Sequence, residues 1–398
     1  MVAVSPYHRL LSATALTNIG DGIRQAALPL LVVTMSRDPL LVAGVTAAGQ
    51  APWLLFGLFA GAVVDRVDRR RLVVVVDVVR VVLLAALAGA VATGLAVGAV
   101  GVVVVHLVAF GCGLAETLRD TAAATLLPRL VDDAELERAN GRLLNAEIAG
   151  NELLGPPLGG YLFGVALVLP FAVNGGALAI AAALVLSLPN LFAPRPAARR
   201  APVLAETAEG VRWLGRHREL RALVGLTGVF AFTDSAWFAV LVLYVAEEIG
   251  LPPHAYGLLL GVGAVGGLLG GGTAARVVRR TGIGVALAGS LALAAAGQAL
   301  LGLAGSAVPA ALGLLLGSFA FGVWNVVGLS HRQRLAPSGM LGRVIAAGRA
   351  VATSAALLGA LGGGLLASAF GVRVPILLGV PVLLVCAVVA ARRFRPGR

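Results

Sequence analysis

Two residues three apart, Asp21 and Arg24, stand in a run over residues 10–34 that is otherwise almost wholly apolar. In a helix that spacing puts both on one face. There Arg24 neutralises Asp21, so an event that separates them controls proton uptake by the carboxylate; the competing role is a static ion pair that fixes helix packing. Glu147 and Glu152 lie in a second apolar run, 139–164, and Asp234 in a third, 220–246. Each can carry a proton or simply hydrogen-bond to a neighbouring helix. Glu147 and Asn151 share a face, as do Asn145 and Glu152. Phe230, Phe232, Trp237 and Phe238, then Phe319, Phe321, Trp324 and Asn325, cluster in two runs. Together with Asn18, Gln25 and Asn151 they could form an aromatic cavity with a few polar anchors for a bulky amphiphile, or merely pack and face lipid.

The elements that must position these residues follow from composition. The chain has 398 residues, 59% apolar and 13% charged, with a mean hydropathy of +0.95. A soluble domain carries about 25% charged residues, so this is an integral membrane protein. A helix needs roughly 20 apolar residues to cross the hydrocarbon core. Twelve stretches meet that need, at 10–34, 40–64, 72–92, 96–118, 139–164, 168–190, 220–246, 255–275, 282–304, 309–331, 342–367 and 373–391. They leave no room for a soluble catalytic domain. The first is too long and too polar for a cleaved signal segment.

The net charge of +12 is an orientation signal. All 31 basic residues are Arg. All but Arg24, Arg37 and Arg373 are assigned to one side of the membrane, including Arg80 from the third span and Arg119 just after the fourth. Both termini are therefore expected on the cytoplasmic side, and nucleic acid is excluded as a partner because no basic groove with interleaved aromatics is present.

The polar interval 191–219 divides the chain into a six-span half over 1–190 and another over 220–398, with the interval as a cytoplasmic linker. The halves repeat. Asp21 matches Asp234 at an offset of 213, and Gly61-x-x-x-Asp65-Arg66 matches Gly271-x-x-x-Ala275-Arg276 at 210. Parallel repeats imply a pseudo-two-fold axis along the membrane normal, with a cavity between the halves.

Gly61-x-x-x-Asp65-Arg66-x-x-Arg69-Arg70 resembles the loop motif between helices 2 and 3 of the major facilitator superfamily, with Asp68 in place of its usual inner Gly. The resemblance covers nearly the whole chain. It implies an all-α fold of 12 transmembrane helices in two pseudo-two-fold-related six-helix bundles. It also implies a conformational gate in which Asp65 caps a neighbouring helix and Arg69 bridges to a carboxylate on span 4, for which Glu116 is the nominee. Asn18-Ile-Gly-Asp21-Gly22, Leu127-Pro128-Arg129, Ala139-Asn140-Gly141 and Leu341-Gly342-Arg343 resemble the branch that includes the enterobactin exporter and macrolide efflux proteins. Gly155-Pro156-x-x-Gly159-Gly160 in span 5 resembles the end of a motif associated with proton-coupled antiporters; its bland reading is a kinked, tightly packed helix.

No nucleotide-binding or metal-ligand motif accompanies these features, so no cofactor, no metal and no enzymatic activity are expected. Gly261-x-Gly263-x-x-Gly266 spells a dinucleotide fingerprint, yet it lies inside a span with no preceding strand and is assigned to helix packing. The two cysteines, Cys112 and Cys386, sit in apolar runs as small filler. The resulting expectation is a monomeric secondary transporter in the bacterial cytoplasmic membrane, exporting a hydrophobic or amphiphilic small molecule against protons. Uptake by symport and a non-transporting scaffold or sensor are the alternatives.

Overall fold

The computed structural model describes residues 5–132, 135–189, 215–335 and 341–394. The side chain of Asp65, the linker residues 191–214 and the side chains of 341–343 lie outside what is described. All regular structure among the described residues is helical. Helix α1 spans Pro6–Met35, α2 Pro39–Arg66, α3 Arg69–Ala92 and α4 Gly98–Ala123. Span 5 is a three-part rod: α5 Leu136–Ile148, a π-turn Ala149–Leu154, and α6 Gly155–Val165. Next come α7 Leu169–Leu186, α8 Arg218–Phe238, a second π-turn Tyr244–Glu248, and α9 Pro253–Thr281. The chain ends with α10 Ile283–Gly302, α11 Ala307–Leu335, α12 Leu341–Phe370 and α13 Arg373–Arg393.

Local chemistry sets these boundaries. Pro6 opens α1 at a position where its missing N–H costs nothing, and Ser5 Oγ accepts from the His8 N–H at 3.4 Å. Gly282 and Gly371 join α9 to α10 and α12 to α13 with φ of +81° and +94°, a backbone that favours glycine. The π-turn in span 5 sits just before Pro156, which has no N–H to donate and whose ring crowds the preceding turn.

Among the described residues ten helices are long and apolar enough to cross a membrane. The other two expected spans are α1 and the α5–α6 rod, which carry the polar and charged residues that lower their hydropathy.

The chain folds as two compact units. The first comprises Met1–Arg37, Ala48–Arg200 and Pro252–Leu258. In it α1 packs on α7, α6 and the π-turn, and α3 packs on α4 and α7. Tyr7, Leu10, Val73, Leu126, Leu127 and Val185 form one of its cores. The second comprises Asp38–Ala47, Ala201–Leu251 and Leu259–Arg398. Here α10 packs on α11 and α13, and α8 on α12, around Leu223, Phe230, Leu287, Trp324 and Leu383.

Polarity is inverted relative to a soluble protein. On α3, Val75, Val78, Val79 and Val82 face outward while Asp77 and Arg80 are fully buried. Lipid solvates valine; a charge at this depth must turn inward and find a partner.

Candidate functional site

The same short pattern occurs in three helices of the first unit. Asp21 and Arg24 in α1, Asp77 and Arg80 in α3, and Glu116 and Arg119 in α4 each place an acid three residues before an arginine. Acid and base thus leave each helix on one face. The packing of α3 against α4, and of α1 against α4, turns those faces toward one another.

Arg80 Nη2 donates to Asp21 Oδ1 in a close contact, and Arg24 Nη2 stands 3.3 Å from the same oxygen. The Arg24 Nη2 group also donates to Glu116 Oε2 at 2.6 Å. Arg80 Nη1 lies 3.7 Å from Asp77 Oδ1. On its other side Asp77 accepts from Arg119 Nε at 3.0 Å, while Arg119 Nη2 donates to Thr17 Oγ1 at 2.8 Å. Asp120 closes the series 3.7 Å from Arg119 Nη1, with 42% of its side chain exposed. Asp21, Arg24, Asp77, Arg80 and Arg119 are all buried. Among the described residues four carboxylates thus meet three guanidiniums, and the network reaches water at Asp120.

Sequence reasoning assigned Arg80 and Arg119 to a cytoplasmic surface. Both are interior. Each is held by a carboxylate on another helix, Asp21 for Arg80 and Asp77 for Arg119, and a buried guanidinium is tolerated only with such a partner. Asp77 and Asp120 were missed as site residues. The recurring acid-x-x-Arg pattern in spans 1, 3 and 4 was the signal that pointed to them.

Glu116, nominated as the answer to Arg69, is taken by Arg24. It sits about two turns inside α4, whereas Arg69 is the first residue of α3. In the motif between α2 and α3, Arg66 is exposed and Gly61 has open space around it. Arg70 donates to the Leu186 carbonyl and Arg9 Nη1 to the Ser187 carbonyl at 2.9 Å, so the two arginines cap the C-terminus of α7. Asp68, the departure from the family pattern, caps α3: its Oδ1 accepts from the Arg71 N–H at 3.0 Å.

The glycines of span 5 position Asp21. A Cβ on Gly22 would stand 2.6 Å from the Asn151 carbonyl oxygen and 2.8 Å from Gly155 Cα; one on Gly159 would stand 2.6 Å from the Ile23 carbonyl oxygen. Pro156 is buried beside Gly155, and Gly160 lies against Pro253 and Gly257. Backbone thus meets backbone on both sides of Asp21.

Gln25 Nε2 donates to Asn151 Oδ1 at 3.0 Å, and Gln25, Glu147 and Glu152 are exposed. Asn18 Nδ2 turns back to the Thr14 carbonyl at 2.9 Å. The expected aromatic wall of the second unit is divided between core and surface. Phe230 and Trp324 are 3% and 1% exposed and meet edge to face at 5.9 Å between ring centres. Trp237 is buried as well, whereas Phe232, Phe321 and Asn325 are exposed. Phe230 and Trp324 pack α8 against α11, and Phe230 and Trp237 also line a small pocket. Gly266 and Gly270 of α9 face the Leu315 and Phe319 carbonyls of α11, which gives the dinucleotide-like string its packing role.

Residues 3–396 match the transmembrane secretion effector family. The chain belongs to it. It is 29% identical over 395 residues to the multidrug efflux pump Tap of Mycolicibacterium fortuitum, covering 95% of this chain and 93% of that one. An uncharacterized MFS-type transporter of Bacillus subtilis, YfiS, is 26% identical over 93% of this chain and 88% of its own. Among solved structures, the nucleoside transporter NupG superposes with a TM-score of 0.77 over 99% of this chain and all of the other, at 13% identity. A bacterial homologue of the iron transporter ferroportin, in its inward-facing state, gives 0.75 at 20% identity over 97% and 98%. At such identities the structures establish the fold alone, which is the major facilitator fold. The protein is therefore a multi-pass membrane transporter and not an enzyme, as the family implies, and it moves a small molecule.

Proposed function

We propose that this protein is a proton-coupled exporter of hydrophobic or amphiphilic small molecules, antibiotics or other secondary metabolites among them. One observation carries the coupling half of this reading: among the described residues, the largely buried network of the first unit holds one carboxylate more than it has guanidiniums. An uncompensated negative charge at membrane depth is costly, and a proton is the smallest cation that relieves it. Asp120 at the water edge admits that proton, and Asp21, which shares its oxygen between Arg24 and Arg80, is the residue whose pairing a moving helix can change. Glu147, Glu152 and Asp234 are further carriers.

The export half rests on similarity to Tap along nearly the whole chain and on the Gly155-Pro156 segment that seats α6 against Asp21. Gln25 and Glu152 are exposed within spans, where lipid cannot solvate them, so with the half-buried Asn151 that accepts from Gln25 they front a water-filled path that serves substrate. Alternating access by rocking of bundles 1–190 and 220–398, joined by a cytoplasmic linker at 191–219, completes the mechanism. The motif from Gly61 to Arg70 serves as its cytoplasmic gate. The protein acts as a monomer in the bacterial cytoplasmic membrane, with both termini inside.

The test is accumulation of fluorescent and antibiotic amphiphiles in a pump-deficient bacterial host expressing the protein, with and without a protonophore, beside Asp21→Asn. Lower accumulation, reversed by both, is expected. Higher accumulation on expression would mean uptake and overturn the direction.

A further inference from the structure

The repeat that pairs Asp21 with Asp234 breaks down around the second acid. At the same offset of 213 Arg24 becomes Trp237, and at the offset of 210 that the loop motif sets Arg80 becomes Ser290. Asp21 has two guanidiniums; among the described residues Asp234 has no ion pair, and its polar neighbour is the Trp237 side chain. Beside it lies a small pocket inside the second unit, lined by Phe230, Asp234, Trp237, Gln298 and Gly313 among others, in which Asp234 is the one ionisable group. Gln298 is 5% exposed, and its Oε1 has no hydrogen-bond partner. Gly379 makes room for that amide, since a Cβ there would stand 2.5 Å from Gln298 Oε1. Gly297 and Gly313 bring the backbones of α10 and α11 together, with a Cβ on Gly297 falling 2.7 Å from the Gly313 carbonyl oxygen. A carboxylate and an amide with an orphan oxygen thus share one small pocket whose other walls are largely apolar.

We propose that Asp234 and Gln298 bind one small monovalent inorganic cation, Na⁺, which takes the place that Arg24 and Arg80 fill around Asp21, with a proton on Asp234 as its competitor. Hard cations prefer oxygen ligands. One carboxylate supplies too little charge for a divalent ion, and the close helix approach leaves no space for an organic ammonium group. The inference rests on the transporter reading but not on the proton coupling of the first unit, so the two fail separately.

The experiment is equilibrium binding of radiolabelled Na⁺ to the purified full-length protein in detergent, with choline replacing unlabelled Na⁺ at constant ionic strength. Saturable binding near one ion per chain is expected, weakening as pH falls. Asp234→Asn should lose it, Gln298→Leu should weaken it by about tenfold, and Gln298→Glu should retain it. If Asp234→Asn does not fold, the Gln298 pair decides. No saturable Na⁺ binding by the wild type, or equal binding by wild type and Gln298→Leu, overturns the site. Proton-driven export measured in Na⁺-free medium tests the first-unit network independently.

Discussion

Arg119 of α4 holds Asp77 of α3 with its Nε 3.0 Å from one carboxylate oxygen and 3.3 Å from the other, and neither residue reaches solvent. Since Arg119 also donates to Thr17 of α1, this one guanidinium ties three helices at a single depth. The pair is the inner wall against which the Asp21 cluster is built.

Asp77→Asn should therefore damage stability more than its conservative size implies. It leaves the buried Arg119 with only the partly exposed Asp120, 3.7 Å away, as a carboxylate partner and removes the acid 3.7 Å from Arg80. Breaking a buried pair from one side costs on the order of 3–5 kcal/mol. Adding Arg119→Gln should recover part of the loss, because the charge left behind is then gone. Thermal unfolding of the purified variants in detergent checks this; a double variant no more stable than Asp77→Asn would show that the two side chains are not coupled.

Asp21→Asn is expected to separate coupling from folding. Arg80 keeps Asp77 nearby and Arg24 keeps Glu116 at 2.6 Å, so neither guanidinium is stranded. The variant should reach the membrane at wild-type levels and yet lose substrate-evoked proton movement in inverted vesicles. Glu116→Gln, whose side chain is already 17% exposed, should reduce the signal less, since water screens the vacated charge. Wild-type proton signals in Asp21→Asn would remove Asp21 from the coupling path.

Glycine substitutions divide sharply by position. Gly22→Ala places a methyl group 2.6 Å from a carbonyl oxygen and 2.8 Å from the Gly155 backbone, and neither obstacle is a side chain that can rotate away. Overpacking of that kind costs about 1–3 kcal/mol. At Gly61 a Cβ meets nothing within 4 Å, so Gly61→Ala should leave thermal stability unchanged. Because Gly22 adjoins Asp21, Gly22→Ala should also impair export at temperatures where the protein is still folded. Comparable melting of both variants would contradict the packing account.

Much of the fold was legible in the chain because hydrocarbon imposes a simple rule. Lengths of apolar sequence had to cross the membrane, and α1, α3 and α12 each lie within a few residues of the stretch that announced them. The π-turn before Pro156 was foreshadowed only as a bend, since proline marks where the ladder breaks but not how the backbone recovers. The site was half legible. Asp21 and Arg24 were visible as charges inside a span. Arg80 and Arg119 were mistaken for surface charges because arginine near a span end usually signals topology, and what holds them inside comes from helices 42 to 102 residues away. Aromatic spacing cannot by itself distinguish a cavity wall from a core: Trp324 and Phe230 pack α8 against α11, and Phe230 borders the small pocket as well.

The turn between α2 and α3 supplies a final test, at the residue that departs from the family pattern. Asp68 adopts an extended backbone with φ of −64° and takes the Arg71 N–H on its carboxylate, so it gives α3 a side-chain cap that glycine cannot provide. Loss of an N-cap oxygen costs about 0.5–2 kcal/mol when alanine replaces it, and only a few tenths when glycine does, since glycine leaves the orphan N–H groups open to water. Asp68→Ala should then lower thermal stability measurably while Asp68→Gly stays near wild type. The same order is expected for protection of the α3 N-terminus from amide hydrogen exchange, because a frayed first turn opens there before the buried charges further along the helix are disturbed. If Asp68→Gly proves the worse of the two, the cap is more than a local hydrogen bond, and the carboxylate is acting on Arg69 to Arg71 through its charge.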